Sequence, residues 1–148
     1  MAQAQTFRFS GVRVLVGDGE TPTEGFAAPC GFTERSLSLS KQFGETNTPD
    51  CADEDAASFV ERDVTSKSAS ITGQGVLAAD AVPVWQDLFE GDTSQNCRVE
   101  LWRTGAKVGT YAGKFHLETL EIGATKGERA TINVTLQSDG AVAYTAGA

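Results

Sequence analysis

The chain is poor in the side chains that carry chemistry. Its 148 residues hold one histidine, His116, and three cysteines, Cys30, Cys51 and Cys97. A single imidazole leaves no partner for a metal pair, and its place between Phe115 and Leu117 is that of a surface strand residue. The cysteines form no CxxC pair, so the ligand spacing of structural zinc is missing. Neither a GxSxG nucleophile elbow nor a Walker loop occurs. No apolar run approaches the ~20 residues that span a bilayer, and membrane insertion is not expected. Met1 to Thr6 lack the basic and apolar stretches of a signal peptide, and synthesis in a cytoplasm is expected. The 12 basic residues are scattered singly against 20 acidic ones, a net charge of −8. That balance repels nucleic acid over most of the surface. Asp50, Asp53, Glu54 and Asp55 cluster, but without the spacing or the glycine of a calcium loop, and they read as a solvated loop. Asn133-Val134-Thr135 matches a glycosylation triplet but falls within a strand pattern, and is discounted. No catalytic residue, metal or cofactor is expected, and the chain is read as no enzyme.

What is present is alternation with a period of two, the mark of half-buried strands. Phe7 and Phe9 are followed, after a slip at Ser10-Gly11, by Val12, Val14 and Val16, which predicts one long strand with a bulge. Gly17-Asp18-Gly19 and Pro22 break it. Leu37 and Leu39 oppose Ser36, Ser38 and Ser40. Ala69 and Ile71 oppose Ser66, Ser68, Ser70 and Thr72. Two strands thus share a face of small hydroxyls, which suits either an ordinary wet sheet face or the smooth lining of a channel. The segment 43–60, including Thr48, Pro49, Asp50, Asp53, Glu54 and Asp55, lacks periodicity and reads as a long loop.

One helix is predicted over 81–90. Val82, Trp85, Leu88 and Phe89 make its apolar stripe, with Asp80 as cap, Pro83 in the first turn and Gly91 as a left-handed stop. Strands resume with Val99 and Leu101, then Tyr111, Phe115 and Leu117. The phase changes near Glu118-Thr119, as at a bulge, before Leu120 and Ile122. Thr104 to Lys107 and Lys126-Gly127-Glu128 read as turns. Ile132, Val134 and Leu136 make a last full strand that ends at Asp139-Gly140, with Val142 and Tyr144 in a short final one. The expected architecture is an all-β sandwich or barrel of about eight strands with one flanking helix, a single domain over 1–148. The three cysteines are either all reduced thiols, or one internal bridge plus a thiol for a neighbour.

Several stretches in order resemble the phage tail tube, or major tail, protein family. They are Pro29-Cys30-Gly31-Phe32-Thr33 with Ser36, Leu37 and Leu39; then Pro49-Asp50-Cys51 through Glu61-Arg62-Asp63, Ser68 to Gly73 and Gly75-Val76-Leu77; then Tyr111 to Phe115, Leu120-Glu121-Ile122, Gly127-Glu128, Ile132 and Gln137 to Gly140. The helix around Trp85, Leu88 and Phe89 lies between the second and third. The resemblance implies a structural subunit of a virion tail. Six subunits would join their sheets into a ring with a continuous inner barrel. The rings would stack into a tube through which genomic DNA passes without specific binding. The long loop would reach a neighbouring ring or subunit. Sheath, tape-measure, terminator and baseplate proteins are implied as partners. Outside the cell such a particle is in an oxidising medium, where Cys30 would bridge Cys51, or one of them would reach another subunit. The tube subunit of a bacterial injection or type VI secretion machine shares this architecture. A monomeric β-sandwich binding a small ligand is the reading from a different class.

Overall fold

Alternating side chains form seven strands and one helix in the computed structural model, which describes residues 3–17 and 25–147. The strands are β1 (Val12–Gly17), β2 (Phe26–Ala27), β3 (Phe32–Thr48), β4 (Phe59–Val76), β5 (Gln95–Arg103), β6 (Ala106–Gly123) and β7 (Thr131–Ala146), and the helix is α1 (Val82–Glu90). They make one sheet in the order β2-β1-β5-β6-β7-β4-β3, all neighbours antiparallel. The ladder is open, with β2 at one end and β3 at the other, so among the described residues the strands number seven and no backbone ladder closes the barrel.

The sheet nevertheless rolls over a single core. Val14 and Val16 of β1 and Cys97 and Val99 of β5 share one buried cluster with Ile71 of β4 and Leu136 of β7. At the seam β3 meets the turn that leads into β1. Arg35 on β3 donates from Nη2 to the carbonyl of Phe9 at 2.9 Å, and its guanidinium lies 4.2 Å over the Phe9 ring.

Two long strands make the roll possible. β6 pairs with β5 over its first half and leaves that partner beyond Phe115. β7 pairs with β4 from Thr131 to Gln137, then continues beside the first half of β6 to Ala146. The bend falls at Gly140, whose φ of 91° is open to glycine at little cost. Asp139-Gly140 therefore bends β7 and does not end it, and Val142 and Tyr144 belong to the same strand. The register shift between Leu117 and Thr119 is the expected second bulge. The turn at Thr104 and Gly105, with φ of 48° and 79°, has the two positive values of a type I′ hairpin, whose twist matches that of its strands.

Four local expectations are corrected. Phe9–Gly11 form a 3-10 turn before β1, with the Gly11 N–H donating to the Arg8 carbonyl at 2.9 Å, so no bulged strand precedes Val12. Asp80 sits in a second 3-10 turn, Ala79–Ala81; the helix is capped by Ala81 without a side-chain hydrogen bond. Gly91 is extended, with φ −72° and ψ 135°, and stops the helix without a left-handed residue. Phe89 points outward, while Trp85, Leu88 and Ala81 are the buried residues of this segment. The break expected at Asp18-Gly19 and Pro22 lies outside the described residues.

Candidate functional site

The polar faces of β3, β4, β7 and the second half of β6 merge into one surface. Register places Ser36 opposite Thr72, Ser38 opposite Ser70, Ser40 opposite Ser68 and Gln42 opposite Ser66. Directly opposed residues of an antiparallel pair share a face. All six serines picked out by alternation are therefore together. Ser40 and Ser68 hydroxyls are 3.0 Å apart, and Ser36 hydrogen-bonds Thr72. The face continues across Ser70–Gln137, Thr72–Thr135 and Gln74–Asn133, then on to His116, Thr119 and Glu121 of β6. These β7 and β6 residues were legible as outward-facing but not as neighbours of the serines. Among the described residues, this face carries no lysine or arginine apart from Lys114, which is exposed on the same side of β6 as His116 and lies at the margin. Its other charges are carboxylates at Glu34 and Glu121, with His116 beside Asp139 at 3.3 Å.

The two margins of this four-stranded face are free edges. β3 pairs only with β4, and beyond Phe115 β6 pairs only with β7 among the described residues. Because β3, β4, β7 and β6 alternate in direction, the two margins run antiparallel to each other. Unpaired edges invite another strand unless blocked.

The segment expected as a loop from Phe43 to Val60 is a loop only in its middle, and strand at both ends. β3 runs to Thr48 and β4 starts at Phe59, so only 49–58 connect them. β4 meets β7 only from Ser70 onward, and 43–48 with 59–64 form a two-stranded arm beyond the sheet. At the root of the arm, the Ala69 N–H donates to Ser138 Oγ at 2.9 Å. The arm keeps apolar residues exposed: Phe43, Val60, Val64 and, at 89% exposure, Phe59, with Leu39 exposed below its root. Its tip gathers Thr48, Pro49, Asp50, Asp53, Glu54 and Asp55, all exposed. Asp50 Oδ1 accepts the Ala52 N–H at 2.9 Å and Asp53 Oδ1 that of Asp55 at 3.2 Å. The two aspartates thus shape the turn, as short acidic side chains do.

The cysteines are not brought together. None of the three is in a disulfide among the described residues. Cys30 precedes and Cys51 follows the 17 residues of β3. At ~3.3 Å per residue that is roughly 50 Å, against the ~7 Å limit of a disulfide. A Cys30–Cys51 bridge within one chain is therefore excluded in this fold. Cys97 is fully buried, with Sγ 3.7 Å from the Gln95 carbonyl.

Among the described residues, one carboxylate is buried. Glu100 is 7% exposed, accepts from Trp102 Nε1 at 3.1 Å and pairs with Lys107 Nζ at 3.0 Å. Burial alone pushes its carboxyl up, but the hydrogen bonds from Lys107 and Trp102 and the charges of Lys107 and Arg98 outweigh this, and the net direction is down. A lowered folded value gives stability that is present above the unfolded pKa and lost as pH falls through the folded one. Glu100→Gln is expected to cost about 1–3 kcal/mol at neutral pH. It should also flatten the fall in stability below about pH 4.5. Urea melts of both proteins from neutral pH into that acid range check this; parallel curves would contradict the assignment.

The sequence of residues 8–144 matches the model of the phage tail tube protein family. The chain belongs to that family. Tail tube proteins are structural, and this one is no enzyme. Its fold is similar to that of the tail of an empty gene transfer agent particle with C6 symmetry, at a TM-score of 0.74 and 18% identity, covering 97% of this chain and 100% of that one. The SPP1 tail tube is similar at a TM-score of 0.67 and 12% identity, covering 95% and 80% of the two chains. The tube of an extracellular contractile injection system is similar at 0.61 and 16%, covering 95% and 92%. No curated protein sequence matches. Likeness at such identity carries the fold, and the family match carries the structural role.

Proposed function

We propose that this tail tube protein closes into hexameric rings through the two free edges of its polar face, and that the rings stack into a tube delivering the genome from a virion tail. The observation that carries the reading is the direction of those edges. β3 of one copy laid beside the second half of β6 of the next continues an antiparallel sheet without a break. Such a heterologous contact closes into a ring when its rotation divides the circle, and it leaves two unlike faces for stacking.

Sixfold closure, the symmetry of the gene transfer agent tail, would give a wall of about 24 strands. At ~4.8 Å spacing and a tilt near 40°, that wall would measure roughly 45 Å across, wide enough for duplex DNA. The serine face would line it. Hydroxyls and amides with sparse carboxylates and a single lysine at the margin give phosphates little to pair with, and DNA would slide. The exposed apolar arm and its tip reach toward a neighbouring ring or subunit. Sheath, terminator, tape-measure and baseplate proteins are the partners that fit a tail; a tube inside a contractile injection machine is the second reading, supported by the likeness to that tube.

Negative-stain electron microscopy of the purified protein over a range of concentrations tests the proposal. Hollow rings or tubes with sixfold end views are expected. A monomer at every concentration, whose melting shifts on adding a small ligand, would move the monomeric binding module to first place.

A further inference from the structure

The 12 basic residues look scattered in sequence, but the fold gathers four of them at the seam. A cleft of about 430 Å³ lies between the N-terminal segment and the β5–β6 hairpin, lined by Arg8, Ser10, Arg13, Trp102, Arg103 and Thr104 among others. Arg35 sits beside it, over Phe9. Burial, then the charge of Arg13, push the Arg35 guanidinium down. Among the described residues, no aspartate or glutamate lines the cleft. The neighbouring carboxylate, Glu100, is engaged with Lys107 and Trp102. Arg13 stacks on Trp102 at 4.7 Å and gives only its Nε to a carbonyl, that of Ser10 at 3.3 Å. The Nε atoms of Arg35 and Arg103 are buried without a hydrogen-bond partner among the described residues. In a chain of net charge −8, such a gathering of uncompensated guanidinium groups is a site for an anion. The planar forks select a carboxylate or phosphate.

The chain carries a matching anion. The segment 49–58 at the arm tip holds Asp50, Asp53, Glu54 and Asp55 and no lysine or arginine. The Asp55 N–H belongs to the turn, but the carboxylates of Glu54 and Asp55 take no part in it among the described residues, and both residues are exposed. The tip cannot reach its own cleft. Arg35 lies near the start of β3 and the tip beyond its end at Thr48, which separates them by roughly 40 Å at ~3.3 Å per residue. Two complementary features at opposite ends of one rigid hairpin are what a head-to-tail contact between copies requires.

We infer that the arginine cleft is the receptor for the acidic arm tip of a second copy in the adjoining ring. The inference rests on the stacked-ring reading and names the surface that accepts the arm. DNA phosphate is the competing occupant, but the face proposed for the lumen is the serine face, and the cleft is not part of it.

The arm tip already carries a reporter, Cys51. In the full chain with Cys30→Ala, we would add Ser10→Cys at the cleft, concentrate the protein, oxidise it and run non-reducing gels beside electron micrographs. A ladder of covalent oligomers is expected, lost when Cys51→Ala is added. Arg8→Glu with Arg13→Glu, both exposed positions, should cut the ladder at least about tenfold. Adding Glu54→Lys and Asp55→Lys to that variant should restore it, which misfolding would not allow. Tubes without a ladder would overturn the cleft contact and leave the tube reading standing. A ladder without tubes would uphold the contact and overturn the tube. A ladder unchanged by the glutamate pair, with loss of binding to a duplex DNA probe, would make the cleft a phosphate site and overturn the inference.

Discussion

Replacing Trp85 with alanine is expected to remove about 3–5 kcal/mol of folding stability, the largest single loss available in this core. The side chain is 1% exposed and meets the Phe32 ring edge-on, with centroids 5.8 Å apart and planes at 67°. It is also the main anchor of α1. A nine-residue helix does not hold itself together in water. Its hold on the sheet comes from Trp85 and Leu88, the residues it buries, with Ala81 of the preceding turn. Truncating Trp85 both opens a cavity and frees one turn of the helix, so the loss should fall in the upper half of the range. Urea denaturation followed by far-UV circular dichroism measures it as a lowered midpoint. Phe89→Ala is the comparison. That ring is 58% exposed, and its removal should change the monomer by less than about 0.5 kcal/mol. Equal effects at the two positions would mean that the helix docks by a different face.

The contrast between Trp85 and Phe89 shows where sequence patterns carry information and where they stop. The 3.6-residue period placed both on one stripe, yet the curved sheet beneath covers only part of it. In the strands, alternation was sufficient wherever one face meets the core, as with Ile71 and Leu136 against Ser70 and Gln137. It failed along the arm. A strand with both faces exposed, such as Phe43 to Thr48, has no buried side to impose a period, and its residues read as a loop. The serine face was half legible. Hydroxyls on β3 and β4 signal themselves locally, but that β7 lies beside β4 is a contact between distant segments, with no local signature. The arginine cleft was invisible for the same reason. Arg8 and Arg13 are far in sequence from Arg35 and Arg103, and only the rolled sheet sets all four beside one cleft or its rim. The bend of β7 was read as an end because glycine after aspartate serves both purposes, and the choice is made by β6 waiting on the far side of Gly140.

Proline at Glu121 and at Ile122, introduced one at a time, is expected to separate ring closure from folding. Successive N–H groups of an antiparallel strand point to opposite sides. From His116 to Gly123, β6 has β7 on one side and no strand on the other among the described residues. One of the two prolines therefore deletes a β6–β7 hydrogen bond, and the other deletes a donor on the free margin. The first should destabilise the monomer by about 1–3 kcal/mol, because it strands a carbonyl of β7. The second should leave the melting temperature of the monomer nearly unchanged, since proline is tolerated on a sheet edge. It should still abolish rings, because the same missing donor recurs at every joint of a closed wall, and a ring with a flawed joint in each copy does not close. Both side chains are exposed, so neither change disturbs the core. Thermal melts and sedimentation velocity of the two variants, set beside the parent, distinguish the cases. A stable, monomeric chain from one proline and a destabilised one from the other would locate the joint at the β6 margin. Rings formed by both variants would remove that margin from the interface and leave the β3 edge to pair with another part of the neighbouring subunit.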